Sequence, residues 1–146
     1  MGDYAIRARF EVACPPHSVM RWLDNAAGIA GWWSDRVEGE AGAIGETFHV
    51  AFPTTPVIFD LEVRAASEDA VEWHVPTSPP WWKGSTIRFD LAAIEDQKTS
   101  LLFTHRGFDP DDAIIEVITP AWVRFLDNLV AVAESGRPAP AVVNSQ

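Results

Sequence analysis

One cysteine, Cys14, is all the chain has, so an internal disulfide is excluded and the fold must hold by packing, as expected in a reducing compartment. There is no uncharged apolar run long enough to cross a bilayer, and no basic start followed by an apolar stretch. Membrane insertion is therefore not expected, and the cytoplasm is the expected location. Basic clusters are missing as well. Eleven Lys and Arg are scattered among 21 Asp and Glu, and the resulting formal charge of −10 repels phosphate backbones and anionic lipid, so nucleic acid is not an expected partner. The four histidines and the cysteine never approach one another at ligand spacing, so no metal and no other cofactor is expected. Serine-nucleophile motifs, phosphate-cradling glycine loops and internal repeats are absent too.

What the chain does have is tryptophan, seven of them in 146 residues that are 47% hydrophobic. That length makes one domain, 1–146, able to bury about two-thirds of its unfolded surface. The clearest signal is helical. From Thr119 to Gly136, Trp122, Phe125, Leu126, Leu129 and Ala133 recur at three- and four-residue steps, with Arg124, Asp127, Asn128 and Glu134 on the other side. Thr119 suits the cap, Pro120 the first helical position and Gly136 the left-handed stop.

Upstream the period is two. Tyr4, Ile6, Ala8, Phe10 and Val12 alternate with Arg7, Arg9 and Glu11, and Pro15-Pro16 ends that strand and starts a helix that runs down near Asn25. A second short helix is expected at about Ala27 to Trp33, its Gly28 and Gly31 marking close packing. Alternation then places strands around Phe48 to Phe52, Val57 to Val63, Val71 to Val75, Ile87 to Leu91 and Leu101 to His105, with turns at Pro53–Pro56, Ser67–Asp69 and Glu95–Lys98. Asp109-Pro110-Asp111-Asp112 reads as a separate helical turn ending before Thr119-Pro120. The small, polar tail past Pro138 is expected to fray. The expected class is α+β: a curved antiparallel sheet of six or seven strands wrapped around one long C-terminal helix, with two short helices after the first strand.

The order of these elements, the run Gly28-Ile29-Ala30-Gly31-Trp32-Trp33, the strand entry Gly45-Glu46-Thr47-Phe48, the run Leu101 to Phe108, and Trp122 with Leu126, Leu129 and Gly136 resemble the START-like (SRPBCC) superfamily. Within it they are most similar to the branch named after the activator of the heat-shock-protein ATPase. The resemblance covers almost the whole chain. It implies a helix-grip fold, as in the birch-pollen allergen, with a cavity between sheet and long helix that often holds an apolar small molecule. Lipid carriers, polyketide cyclases, hormone sensors and co-chaperone modules share it, so fold membership does not hand over a function.

Inward parity and the helical stripe nominate Trp33, Phe48, Phe59, Leu61, Trp73, Trp82, Phe89, Phe103, His105, Trp122, Phe125 and Leu129 as ligand-binding residues, although the same side chains equally make a solid core. His105 shares a face with Leu101 and Phe103. It suits orienting a ligand carbonyl or moving a proton, but a lone histidine without a visible partner is better read as hydrogen-bonded at a strand end. His17, His49 and His74 are expected in solvent. Trp81-Trp82, in a proline-rich loop, fit a lid over the cavity mouth or a patch for a second copy or another protein. No catalytic set is assembled. The leading expectation is binding of a small hydrophobic ligand as carrier or sensor, with a cyclase- or hydratase-type enzyme and a partner-binding module as alternatives.

Overall fold

The computed structural model describes residues 2–144. Strand β1 (Tyr4–Val12) leads into two short helices, α1 (Pro16–Met20) and α2 (Ala26–Ala30). Then come β2 (Val37–Gly39), β3 (Thr47–Val50), β4 (Phe59–Ala66) and β5 (Ala70–His74), a single 3-10 turn (Pro80–Trp82), β6 (Thr86–Glu95) and β7 (Lys98–Phe108), and last the helix α3 (Ile114–Ser135). The strands form one seven-stranded sheet in the order β1-β7-β6-β5-β4-β3-β2, and all its neighbours are antiparallel. Alternation works as expected on β1, where Ile6 and Val12 are buried and Arg7, Arg9 and Glu11 exposed. Tyr4 departs from it, because the register with β7 shifts between Tyr4 and Ala5 and leaves the ring 39% exposed.

The long helix differs from its expected form at one end. It begins at Ile114, so the turn after Asp112 and the stretch from Thr119 are one helix with Pro120 inside it. Asp112 Oδ1 accepts the Ile114 amide (3.0 Å) and does the capping assigned to Thr119, whose hydroxyl instead donates to the Ile115 carbonyl (2.6 Å). Pro120 is tolerated because it faces solvent, where water can reach the Glu116 carbonyl that a prolyl nitrogen cannot serve. At the other end Gly136 takes the left-handed conformation (φ 75°) and its amide donates to Val132, as a helix stop requires.

Asn25, expected near the end of the first helix, caps the second, its side chain accepting the Gly28 amide at 2.6 Å. The two glycines of this segment hold it against α1. A Cβ on Gly28 would lie 2.3 Å from the Arg21 carbonyl oxygen, and one on Gly31 2.6 Å from the Trp22 ring. The tail also departs from expectation. Ala139, Ala141 and Val142 amides donate to the carbonyls of Gly31, Trp32 and Trp33, Asp35 donates back to Val142, and the Asn144 side chain reaches Ser34 and Asp35. Backbone pairing holds a segment that side-chain composition alone would leave loose.

Candidate functional site

On α3, Ile118, Trp122, Leu126, Leu129, Val132 and Ala133 are buried, so the apolar stripe faces the sheet. Opposite it stand Phe48, Leu61, Trp73, Phe89 and Phe103, each on the inward parity of its strand and buried. The gap between is filled with rings. Trp122 lies 4.6 Å from Phe103, 5.3 Å from Trp33 and 5.8 Å from Trp82 between centroids, and Trp33 stacks on Trp73 at 6.2 Å. These are contact distances for aromatic pairs, so this interior is a packed core and not the open cavity that the resemblance implies.

His105 is fully buried within that packing, edge-on to Trp82 at 4.7 Å. An indole N–H only donates, so the 3.0 Å bond from Trp122 Nε1 makes His105 Nδ1 an acceptor and fixes the imidazole proton on Nε2. Nε2 donates to Ser85 Oγ (2.8 Å), and the hydroxyl passes its own hydrogen to the Trp82 carbonyl (2.6 Å). The chain runs one way from α3 through β7 to the loop before β6. Burial among apolar rings pushes the His105 pKa down to about 3. Both ring nitrogens are taken, which leaves no lone pair for a substrate. The expected strand-end histidine bonded to backbone or water is thus replaced by one bonded to two side chains. Ser85, which completes the chain, sits on the inward parity of Ile87 and Phe89 extended two residues back.

Space opens at the end of the core. A concavity of about 320 Å³ is walled by Trp33, Phe52 and Phe59 on one side, by Thr54 and Thr55 on the β3–β4 loop, and by Trp81 and Trp82 on the 3-10 turn. Val117, Ile118, Ala121 and Phe125 of α3 close it. None of these side chains is ionisable. Four residues nominated from the sequence, Trp33, Phe59, Trp82 and Phe125, stand at this mouth, while Phe48, Leu61, Trp73, Phe89, Phe103, His105, Trp122 and Leu129 lie outside it in the packed interior. The pair expected to act together divides. Trp82 is 5% exposed and packs on Phe59, whereas Trp81 is 39% exposed at the rim. Residues not nominated, Phe52, Val117, Ile118 and Ala121, complete the wall.

The remaining titratable groups assemble no second centre. Among the described residues no cluster of three His, Cys, Asp or Glu is placed to hold a metal ion, and no helix is long and apolar enough to cross a membrane. Burial pushes the Cys14 thiol pKa up, away from thiolate reactivity. His49, on the outer face of β3, is not simply solvated but pairs with Asp60 across to β4 (2.6 Å).

No family model matches the sequence, and no curated protein matches it. Solved structures do. The solution structure of the Aha1 dimer from Colwellia psychrerythraea is 25% identical, with a TM-score of 0.80 over 91% of this chain and 98% of that one. The protein MLL2253 from Mesorhizobium loti is 20% identical (TM-score 0.75, 90% of this chain and 98% of that one). DynU16, from the dynemicin biosynthetic locus, is 18% identical (TM-score 0.73), 92% of this chain matching 48% of that one. Its antiparallel order β1-β7-β6-β5-β4-β3-β2 and its gripped terminal helix give the chain the helix-grip fold, and its likeness to the Aha1 structure is consistent with the START-like branch that structure represents.

Proposed function

We propose that the chain binds a small apolar molecule, as carrier or sensor, at the mouth between the Pro80–Trp82 turn and the first turns of α3. The observation that carries this reading is the wall itself: a concavity of about 320 Å³ bounded by aromatic and aliphatic carbon with two threonines and no charge, between the first turns of α3, the β3–β4 loop and the Pro80–Trp82 turn. That volume is at the lower end of the roughly 300–1,000 Å³ of small-molecule sites. It suits a one- or two-ring compound better than a long acyl chain. The site sits where a helix-grip fold separates sheet from helix, displaced outward because tryptophans occupy the interior.

The test is a thermal-shift and fluorescence titration with two-ring aromatics on the wild type, on Ala121→Phe, which fills the mouth, and on Val117→Asp, which charges a rim position already 64% exposed. Saturable binding to the wild type, weakened about tenfold or more by either change at unaltered melting temperature, supports the reading; a cost of about 1.4 kcal/mol corresponds to that factor. Binding indifferent to both changes overturns it.

A second reading rests on the rim. Trp81 (39% exposed) and Val117 (64% exposed) project apolar surface there, and the Aha1 structure similar to this chain is a dimer. In that reading a second copy covers the mouth. Sedimentation of wild type and Val117→Asp separates the two, since only a self-associating rim loses mass on charging.

A further inference from the structure

Four indole nitrogens, those of Trp22, Trp33, Trp73 and Trp82, are buried without a protein acceptor. An indole N–H can only donate, and folded interiors leave few such donors unpaired, because each costs about 1–3 kcal/mol. The other buried tryptophans show the usual solution: Trp32 donates to the Trp22 carbonyl (2.7 Å) and Trp122 to His105. Three of the four orphans belong to one stack. Trp33 lies nearly parallel to Trp73 (6°, 6.2 Å) and to Trp82 (19°, 6.4 Å). Two of these three, Trp33 and Trp82, also wall the mouth while their N–H groups are buried.

Building on the proposed ligand site, we infer that its occupant is a neutral, flat apolar molecule with a carbonyl-type oxygen, which enters oxygen-first and accepts the indole hydrogen of Trp82 or Trp33. In this inference binding itself shifts one of the two rings enough to bring its N–H to the ligand oxygen. Hydrocarbons leave those donors unpaired. A carboxylate would lose its water against a wall with no cation to meet it, in a chain of net charge −10. His105 gives no cation either, since Trp122 holds its Nδ1 as an acceptor. Ketones, esters, lactones and quinones meet both conditions.

Three matched probes separate the alternatives: acetylnaphthalene, ethylnaphthalene and naphthoate, titrated into nitrogen-15-labelled protein while the seven indole N–H resonances are followed. The ketone should bind about tenfold tighter than either analogue and move the Trp82 or Trp33 indole proton downfield. Assignment uses Trp82→Phe and Trp33→Phe, and the affinity ratio needs no variant should these fail to fold. Equal affinity for ketone and hydrocarbon, or a bound ketone that moves neither proton, overturns the inference. The mouth reading then still stands, provided Ala121→Phe abolishes the binding. If none of the three saturates, that reading falls and takes the inference with it.

Discussion

His105 makes the protein's stability depend on pH in a window set by its burial. The imidazole's ordinary value of 6.5 in an unfolded chain is pushed down to about 3 in the folded one, because desolvation disfavours its cation. Above the higher value neither state holds the proton; between the two only the unfolded state does. Unfolding then takes up a proton, so stability falls as pH drops, at up to about 1.4 kcal/mol per unit and by roughly 4–5 kcal/mol across the whole window. That is a large part of the roughly 5–15 kcal/mol that holds a domain together. At about pH 4.5 the group alone removes roughly 2–3 kcal/mol. His105→Gln isolates it, since the amide oxygen can accept from Trp122 and the amide nitrogen donate to Ser85 but nothing there titrates. Urea denaturation of both proteins, from about pH 7.5 down to about pH 4.5, cancels the carboxylates and the other histidines in the difference. The variant should start about 1–2 kcal/mol less stable, close the gap on acidification and overtake the wild type by about pH 4.5. Two parallel profiles would refute the assignment.

Ser85→Ala strands the imidazole Nε2–H in an apolar setting and should cost about 1–3 kcal/mol, read as a lower urea midpoint at neutral pH. Pro120→Ala returns an amide to an exposed helical position and should raise the midpoint, by up to about 3 kcal/mol on the proline-to-alanine propensity difference. Asn128→Ala cuts the bonds from its side chain to the Trp32 and Ala139 carbonyls (2.7 and 2.6 Å). Hydrogen exchange should then quicken at the Ala141 and Val142 amides while the sheet keeps its protection.

The sheet and the helical stripe were legible because a residue that must be buried on one face announces it by period. Ile87, Phe89 and Leu91, or Trp122, Leu126 and Leu129, could hardly be read otherwise. The start of α3 was not, because a threonine before a proline is the ordinary mark of a boundary, and only the solvent-facing placement of Pro120 lifts it. That misplacement concealed the mouth. Running the stripe back from Trp122 and Phe125 gives Ile118 and Ala121, two of its walls. Strand β2 was missed because three residues carry no period, and the tail because its hold is backbone hydrogen bonding that no side chain announces. Whether the inner space is open or filled depends on ring packing at a scale of ångströms. Residue types fix its polarity but not its volume.

Trp33, near-parallel to Trp32, Trp73 and Trp82 and within 5.7 to 6.4 Å of each, turns the centre of the molecule into a single optical unit. At such separations excitation hops between indoles faster than it is emitted, and coupled transitions give a strong near-ultraviolet circular-dichroism signature. Trp81, 39% exposed on the rim, is the one tryptophan of the seven that is not buried. A molecule held at the mouth would lie against Trp33 and Trp82, two members of that array, and would be read as a change in the spectrum of the whole.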